Sequence, residues 1–179
     1  MTTEQAGLDD AIIEVITPET EPAMKDLIRR NLSGFDEAGT VLAATFRRLG
    51  DLANVYRADG ARYFVLRDGK TGACIGGAGL GALHGLSPQE GQGEVRDLVL
   101  DEAYRGRGLG GRLLKRCVEE AKRLGYKRLY LETTPQMENA QKLFIRFGFR
   151  PVTQAHTAGD LRNPGSDAAV PGYFILESL

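Results

Sequence analysis

The chain of 179 residues and 19.5 kDa has the length of one ordinary domain, with room for a real core and none for two separate catalytic domains. Hydrophobic residues at 42% and charged residues at 26% exclude intrinsic disorder and fibrous architectures over most of that length. Lys plus Arg number 23 against 24 Asp plus Glu, a formal charge of -1, so no global basic excess pulls the protein onto nucleic acid or anionic lipid and any positive site must be local.

Residues 1–10 read as a flexible polar tail and 11–179 as a single domain. The β-branched run Ala11 to Ile16 predicts a first strand, ended by Thr17-Pro18, with Thr17 capping a helix that runs to about Asn31 and places Met24, Leu27 and Ile28 on one face. A second amphipathic helix is predicted between Thr40 and Leu52, then a loop from Asn54 to Ala61. Arg62 to Arg67 and Cys74 to Leu83 read as the two arms of a hairpin. The second arm carries Gly76, Gly77, Gly79 and Gly81, which permit a bulge or the close approach of a ligand or neighbouring segment. A polar loop from His84 to Gly93 leads to the strand Glu94 to Leu100, most apolar at its far end. A glycine loop follows, then a helix from about Leu109 to Leu124, with Leu113, Leu114, Cys117, Val118 and Ala121 on one face and Gly125 as C-cap. Lys127 to Glu132 alternates as a strand, Pro135 to Phe147 reads as a helix, and Phe149 to Val152 and Tyr173 to Leu176 as short strands. Between the last two, Thr153 to Pro171 has the composition of a long loop over a binding site.

Cys74 and Cys117, with His84 and His156, form no metal-type spacing, so a reducing compartment and no metal are expected. No run of about 18 apolar residues offers a membrane span, and MTTEQAGLDD lacks the blocks of a signal peptide, which leads to the expectation of a cytoplasmic protein without membrane or nucleic-acid partners.

The segment Arg105-Gly106-Arg107-Gly108-Leu109-Gly110-Gly111-Arg112 sits between a strand and an amphipathic helix. That order sets unpaired N–H groups at a positive helix N-terminus, the physical requirement for holding a phosphate, and glycine keeps side chains out of the anion's way. The same residues also satisfy G-x-G-x-x-G, with Glu132 about 20 residues on, so a dinucleotide-binding protein stays a minor alternative; against it, Asp101 to Arg105 separate strand and loop, and little chain follows for a second half. A kinase-type P-loop fails because Arg112 and Leu113 follow Gly111.

With Leu98-Val99-Leu100 before it, Arg105 to Gly110 resembles the signature of the GCN5-related N-acetyltransferases (GNAT), and Asn139 to Phe149, ending Gly148-Phe149, resembles that family's later helix. The resemblance implies an α/β fold with a mixed, mainly antiparallel central sheet of six or seven strands flanked by about four helices, splayed between the strand ending at Leu100 and the strand Lys127 to Glu132. It also implies acetyl-CoA as cosubstrate and no metal. The pantetheine arm would pair with Leu98, Val99 and Leu100, and the pyrophosphate would meet Gly106, Arg107, Gly108, Leu109, Gly110 and Gly111, aided by Arg105. The acceptor would be an amine of a small molecule or a free α-amino group; an acyl-CoA sensor without activity is the alternative, and a homodimer is compatible with either.

Transfer to an amine needs a base. By position in the family pattern Glu94 and Glu132 are the candidates. Strict alternation sets Glu94 on the face of Leu98 and Leu100, an apolar side that would raise its pKa, whereas Glu132 beside Thr133 and Thr134 would bond backbone amides and stay ionised; Glu94 is therefore ranked first. Phe144 stands where many relatives carry a tyrosine acid, and Met137 where an asparagine is frequent, with Asn139 two positions later. The general acid is left among Tyr173, Tyr130, water and direct thiolate release.

Overall fold

A computed structural model describes residues 10–33, 40–133, 137–152 and 172–179. Its strands are β1 (Ile12–Val15), β2 (Arg62–Arg67), β3 (Cys74–Ala82), β4 (Gln92–Leu100), β5 (Arg128–Thr133), β6 (Arg150–Val152) and β7 (Gly172–Leu176). They form one sheet in the order β1-β2-β3-β4-β5-β7-β6, in which only β4 and β5 are parallel. The helices among the described residues are α1 (Glu21–Leu32), α2 (Thr40–Leu49), the single turn α3 (Leu52–Val55), α4 (Leu109–Arg123) and α5 (Glu138–Arg146). The expected mixed, mainly antiparallel architecture is present. A dinucleotide fold needs a doubly wound parallel sheet, so that alternative fails. None of these helices is long and apolar enough to cross a membrane.

Two cores lie on opposite faces of the sheet. On one, α4 buries Leu113, Leu114, Cys117 and Ala121, and α5 buries Phe144, against Phe64, Leu80, Val95, Leu131 and Phe174. Burial pushes the Cys117 thiol up to about 12, consistent with a small core residue rather than a reactive one. On the other face, Met24, Leu27 and Ile28 of α1 and Leu49 of α2 close over Tyr63, Val65 and Val99.

Three expected boundaries move. The first helix begins at Glu21 rather than after Thr17, because Thr17 and Thr20 close a turn on each other: the Thr17 amide donates to Thr20 Oγ1 (3.0 Å), and the Glu21 amide donates to the Thr17 carbonyl (2.9 Å). The expected loop from Asn54 opens inside α3. The loop from His84 is shortened by a 3-10 turn at Pro88–Glu90, boxed by Ser87 and Glu90, and β4 starts at Gln92. The tail before Asp10, the loop 153–171 and the opening of the Pro135 helix fall outside the described residues.

The glycines of β3 admit side chains rather than a ligand. A Cβ on Gly79 would stand 2.2 Å from the Tyr56 hydroxyl, and one on Gly77 2.7 Å from Met24 Cε and from the Tyr63 ring. On Gly81 the nearest atom is the movable end of Arg96, at 3.2 Å. Gly79→Ala is therefore expected to destabilise by roughly 1–3 kcal/mol, with Gly81→Ala costing clearly less. Urea unfolding at unchanged m checks the order of the two midpoints.

Candidate active site

Strands β4 and β5 share four rungs, from Gln92 opposite Arg128 to Val95 opposite Leu131, and then part. Beyond that point β4 still pairs with β3, through Val99 opposite Gly77 and Leu100 opposite Gly76, while among the described residues no strand pairs with its other edge in the middle of the sheet. Thr133, the last residue of β5, has a buried hydroxyl with no partner among the described residues. An unpaired strand edge beside an orphaned buried hydroxyl is the composition of a site that takes a polar ligand.

The path from the edge to the helix is a chain of turns. Asp101 Oδ1 accepts from the Ala103 amide (3.1 Å), the amides of Tyr104 and Arg105 close on Asp101 and Glu102, and Gly106 (φ 76°) and Gly108 (φ 78°) take left-handed conformations. Those two glycines are required by backbone conformation: a Cβ on either would meet nothing within 4 Å, so the space before them is open. The Arg112 amide bonds the Gly108 carbonyl (3.2 Å), and the preceding amides of the first turn of α4 point outward as they do at any helix start. Gly110 and Gly111 lie against Leu143 of α5, with Cβ distances of 3.3 and 3.8 Å.

The arginines of this loop divide their work. Arg105 braces it, donating from Nε to the Leu100 carbonyl (3.2 Å) and from Nη2 to Asn31 Oδ1 (2.5 Å). Arg112 donates to the Ala11 carbonyl (2.7 Å). Arg107 lies over the Tyr104 ring, 5.6 Å from its centroid, and is exposed. Further along, Asn139 is exposed on α5, whereas Phe144 is 3% exposed and packs its ring against Phe149 and Phe174, so the two do not converge.

The face carrying α1 and α2 gathers the ionisable groups. Glu94 accepts from Arg96 Nε (2.7 Å), and Arg96 also donates to the Ala82 carbonyl. Glu132 Oε1 accepts from the Tyr173 hydroxyl (2.7 Å) across the rung those residues share. Burial raises the Glu132 pKa; the Tyr173 bond opposes the shift, the Glu94 charge adds to it and Arg48 opposes it. Beside them Leu83, Tyr130 and Ile175, with Leu86, form a small apolar cluster, and the Tyr130 hydroxyl bonds Gln92 Oε1 (3.1 Å).

Sequence alternation misplaces Glu94. Two steps of β3, Gly77 to Gly79, span three steps of β4, Val99 to Arg96, so β4 carries a bulge at Asp97-Leu98, and Asp97 has φ 51°. The extra residue reverses every face beyond it. Glu94 therefore shares the side of Val99, while Leu98 and Leu100 pack against the α4 core. The expectation for Glu132 is corrected as well: its partner is a tyrosine hydroxyl, and its pKa moves up.

Sequence reasoning also missed Asp97, whose side chain is 0% exposed. It accepts from Arg48 Nη2 (2.6 Å) and Thr45 Oγ1 (2.8 Å) at Oδ1, and from Arg48 Nε (2.7 Å) and the Tyr56 hydroxyl (2.8 Å) at Oδ2. The available signal was the adjacent charged pair Arg96-Asp97, which breaks the alternation of the strand.

The raised pKa of Glu132 has a thermodynamic consequence. Folded protein holds that proton more tightly than unfolded chain, so the carboxylate costs stability once pH exceeds its unfolded value of about 4.3, and the cost grows until the folded group ionises. Glu132→Gln is expected to raise the melting temperature near pH 8 and leave it unchanged near pH 3, as checked by thermal scans across pH.

Comparison with known proteins agrees with this geometry. The family described as "Acetyltransferase (GNAT) family" matches residues 23–149. An uncharacterized N-acetyltransferase of Escherichia coli, YjgM, is 29% identical over 148 residues, which cover 80% of this chain and 84% of that protein. A probable glucosamine 6-phosphate N-acetyltransferase of rice is 49% identical over 45 residues, covering 25% of this chain and 27% of that protein. Among solved structures, yncA of Salmonella typhimurium, a putative acetyltransferase with its cofactor acetyl-CoA, superposes with a TM-score of 0.69 at 18% identity, covering 93% of each chain.

Proposed function

This chain belongs to the GNAT family of acetyltransferases, and from that premise we propose that it transfers the acetyl group of acetyl-CoA to the primary amine of a small molecule or to a free α-amino group. The observation that carries the reading is the unpaired edge of β4 beyond Val95, which leads through the turns at Asp101 to Arg105 to the open glycine loop and the N-terminus of α4. When bound, acetyl-CoA supplies an acetyl group already activated as a thioester. The backbone of Leu98, Val99 and Leu100 suits a pantetheine arm added as a strand, and Thr133 offers its orphaned hydroxyl on the far side of the gap. The amides from Gly106 to Gly111 suit the pyrophosphate, with Arg107 free to add charge from the surface and Arg105 holding the loop in place. Phe144 contributes packing beneath α5, since a phenyl ring has no proton to give.

Of the two carboxylates, Glu132 is the better base. Its bond to Tyr173 uses one oxygen, its buried surroundings raise its proton affinity, and the apolar cluster of Leu83, Tyr130 and Ile175 lies on the same face. Glu94, held by Arg96, serves by its charge, which raises the proton affinity of Glu132. Tyr173, already bonded to the base, is the hydroxyl best placed to return a proton. The glucosamine 6-phosphate named for the rice relative is an amine acceptor of the proposed size.

Gly108→Asp separates cofactor binding from folding. Its left-handed conformation costs Asp about 1 kcal/mol, but its Cβ meets nothing, so the fold persists while a negative charge stands where the phosphates belong. Calorimetry is expected to show wild-type protein binding coenzyme A in preference to NAD, with at least a hundredfold loss in Gly108→Asp on protein that stays folded with a slightly lowered melting temperature; preference for NAD refutes the reading. Glu132→Gln is expected to lower turnover by about a hundredfold, and Glu94→Gln by much less, with coenzyme A affinity kept in both. Thiol release across a panel of small amines, amino acids and peptides measures this and identifies the acceptor, and activity confined to large protein substrates refutes the small-acceptor assignment.

A further inference from the structure

Asp97 combines features that normal packing does not explain. It is the only described non-glycine residue with positive φ, its carboxylate is fully buried, and four donated hydrogen bonds converge on that carboxylate from Thr45, Arg48 and Tyr56. A fifth bond holds the same residue by its main chain, the Tyr63 hydroxyl donating to the Asp97 carbonyl (3.2 Å). A left-handed aspartate is a cost to the backbone, and a buried charge is another. Both persist only where surrounding groups over-determine the conformation, which is the pattern of a functionally constrained position.

What the conformation achieves can be read from the register. Asp97 is the first residue of the bulge that separates the part of β4 paired with β5 from the part left unpaired. Without the bulge, Val99 would exchange faces with Leu98 and Leu100, and every N–H and C=O beyond Arg96 would exchange edges. The bulge thus decides which backbone groups of Leu98 to Leu100 face the gap. Its fastening comes from outside the strand: Thr45 and Arg48 lie on α2, Tyr56 just beyond α3, and Gly79 on β3 makes room for the Tyr56 hydroxyl. Arg48 also lies close enough to Glu94 and Glu132 to act on them electrostatically. The carboxylate of Asp97 therefore binds the α2 side of the cleft, where the proposed base stands, to the edge proposed for the cofactor.

We propose that Asp97 is a positioning residue, whose carboxylate, clamped by Thr45, Arg48 and Tyr56, sets the β4 bulge and thereby aims the unpaired strand edge that receives the acyl-CoA arm. This rests on the cofactor reading given above. A purely structural ion pair would affect stability alone, whereas a positioning pair affects binding by the protein that remains folded.

The test compares wild type with Asp97→Asn, Arg48→Lys and Tyr56→Phe, measuring the melting temperature, coenzyme A affinity by calorimetry on protein shown to be folded by circular dichroism, and the separate KM for acetyl-CoA and kcat. Asparagine keeps the shape and the left-handed conformation and removes the charge. Asp97→Asn is expected to weaken coenzyme A binding tenfold or more and to raise the KM for acetyl-CoA in step, Arg48→Lys to do so by a similar factor, and Tyr56→Phe by about threefold. Because Asp97 and Arg48 act as one unit, the double variant should lose no more than the worse single variant. Should Asp97→Asn not fold, the Arg48→Lys and Tyr56→Phe affinities decide the matter by the same criteria. Lowered melting temperatures with unchanged coenzyme A affinity and KM overturn the positioning role. Failure of the wild type to bind coenzyme A overturns the cofactor reading instead.

Discussion

Parallel strands at the centre of a sheet normally satisfy one another along their whole length, and here β4 and β5 stop after Gln92 to Val95. Unpaired backbone groups in a sheet interior are costly, so the rest of the molecule is arranged around that gap. On one side β3 holds β4 in place down to Leu100; on the other, β7 holds β5 as far as Thr133 opposite Gly172. Each parted strand thus keeps one satisfied edge, and the two free edges face a space that opens onto the loop preceding α4. The dipole of α4 and the outward amides of its first turn lie at the end of the path that the free edge of β4 defines.

The glycines of β3 and the aromatic residues beneath α1 are one device. Gly77 and Gly79 surrender their side chains so that Met24, Tyr63 and Tyr56 can reach the sheet, and the two tyrosine rings, 5.1 Å apart between centroids, bring their hydroxyls to Asp97. Burial pushes both phenols well above their ordinary value, which favours the protonated form that donates. The glycine loop at residues 106–108 serves a different need. There nothing would collide with a Cβ, and the requirement is left-handed backbone and open space.

Three carboxylates on one face of the sheet have three different surroundings. Asp97 is clamped by donors and its side chain is fully enclosed; Glu94 is paired with Arg96; Glu132 accepts from the Tyr173 phenol in a buried setting. The surroundings of Glu132 favour its protonated form, because burial penalises the charge and outweighs the bond from the Tyr173 phenol. The same carboxylate chemistry is thereby set in a clamp of donors, an ion pair and a buried bond to a phenol.

Local patterns in the chain were enough to establish most of the elements and the glycine loop, since helix and strand periods, the Gly106 to Gly111 run and the apolar end of β4 are all written in neighbouring residues, while the mixed sheet followed from the family resemblance. The family was legible for the same reason: Arg105 to Gly110 and Asn139 to Phe149 are contiguous. What sequence could not supply was the face of Glu94, because one inserted residue at Asp97 reverses the faces of the two parts of β4 relative to each other, and that insertion is visible only against the partner strand β3. Nor could it supply the environment of Glu132, which depends on Tyr173, 41 positions away, or the clamp on Asp97, whose donors lie 41 to 52 positions earlier. Periodicity reports how a segment meets its own neighbours; the proton affinity of a carboxylate depends on which distant groups the closed sheet brings within a few ångströms of it.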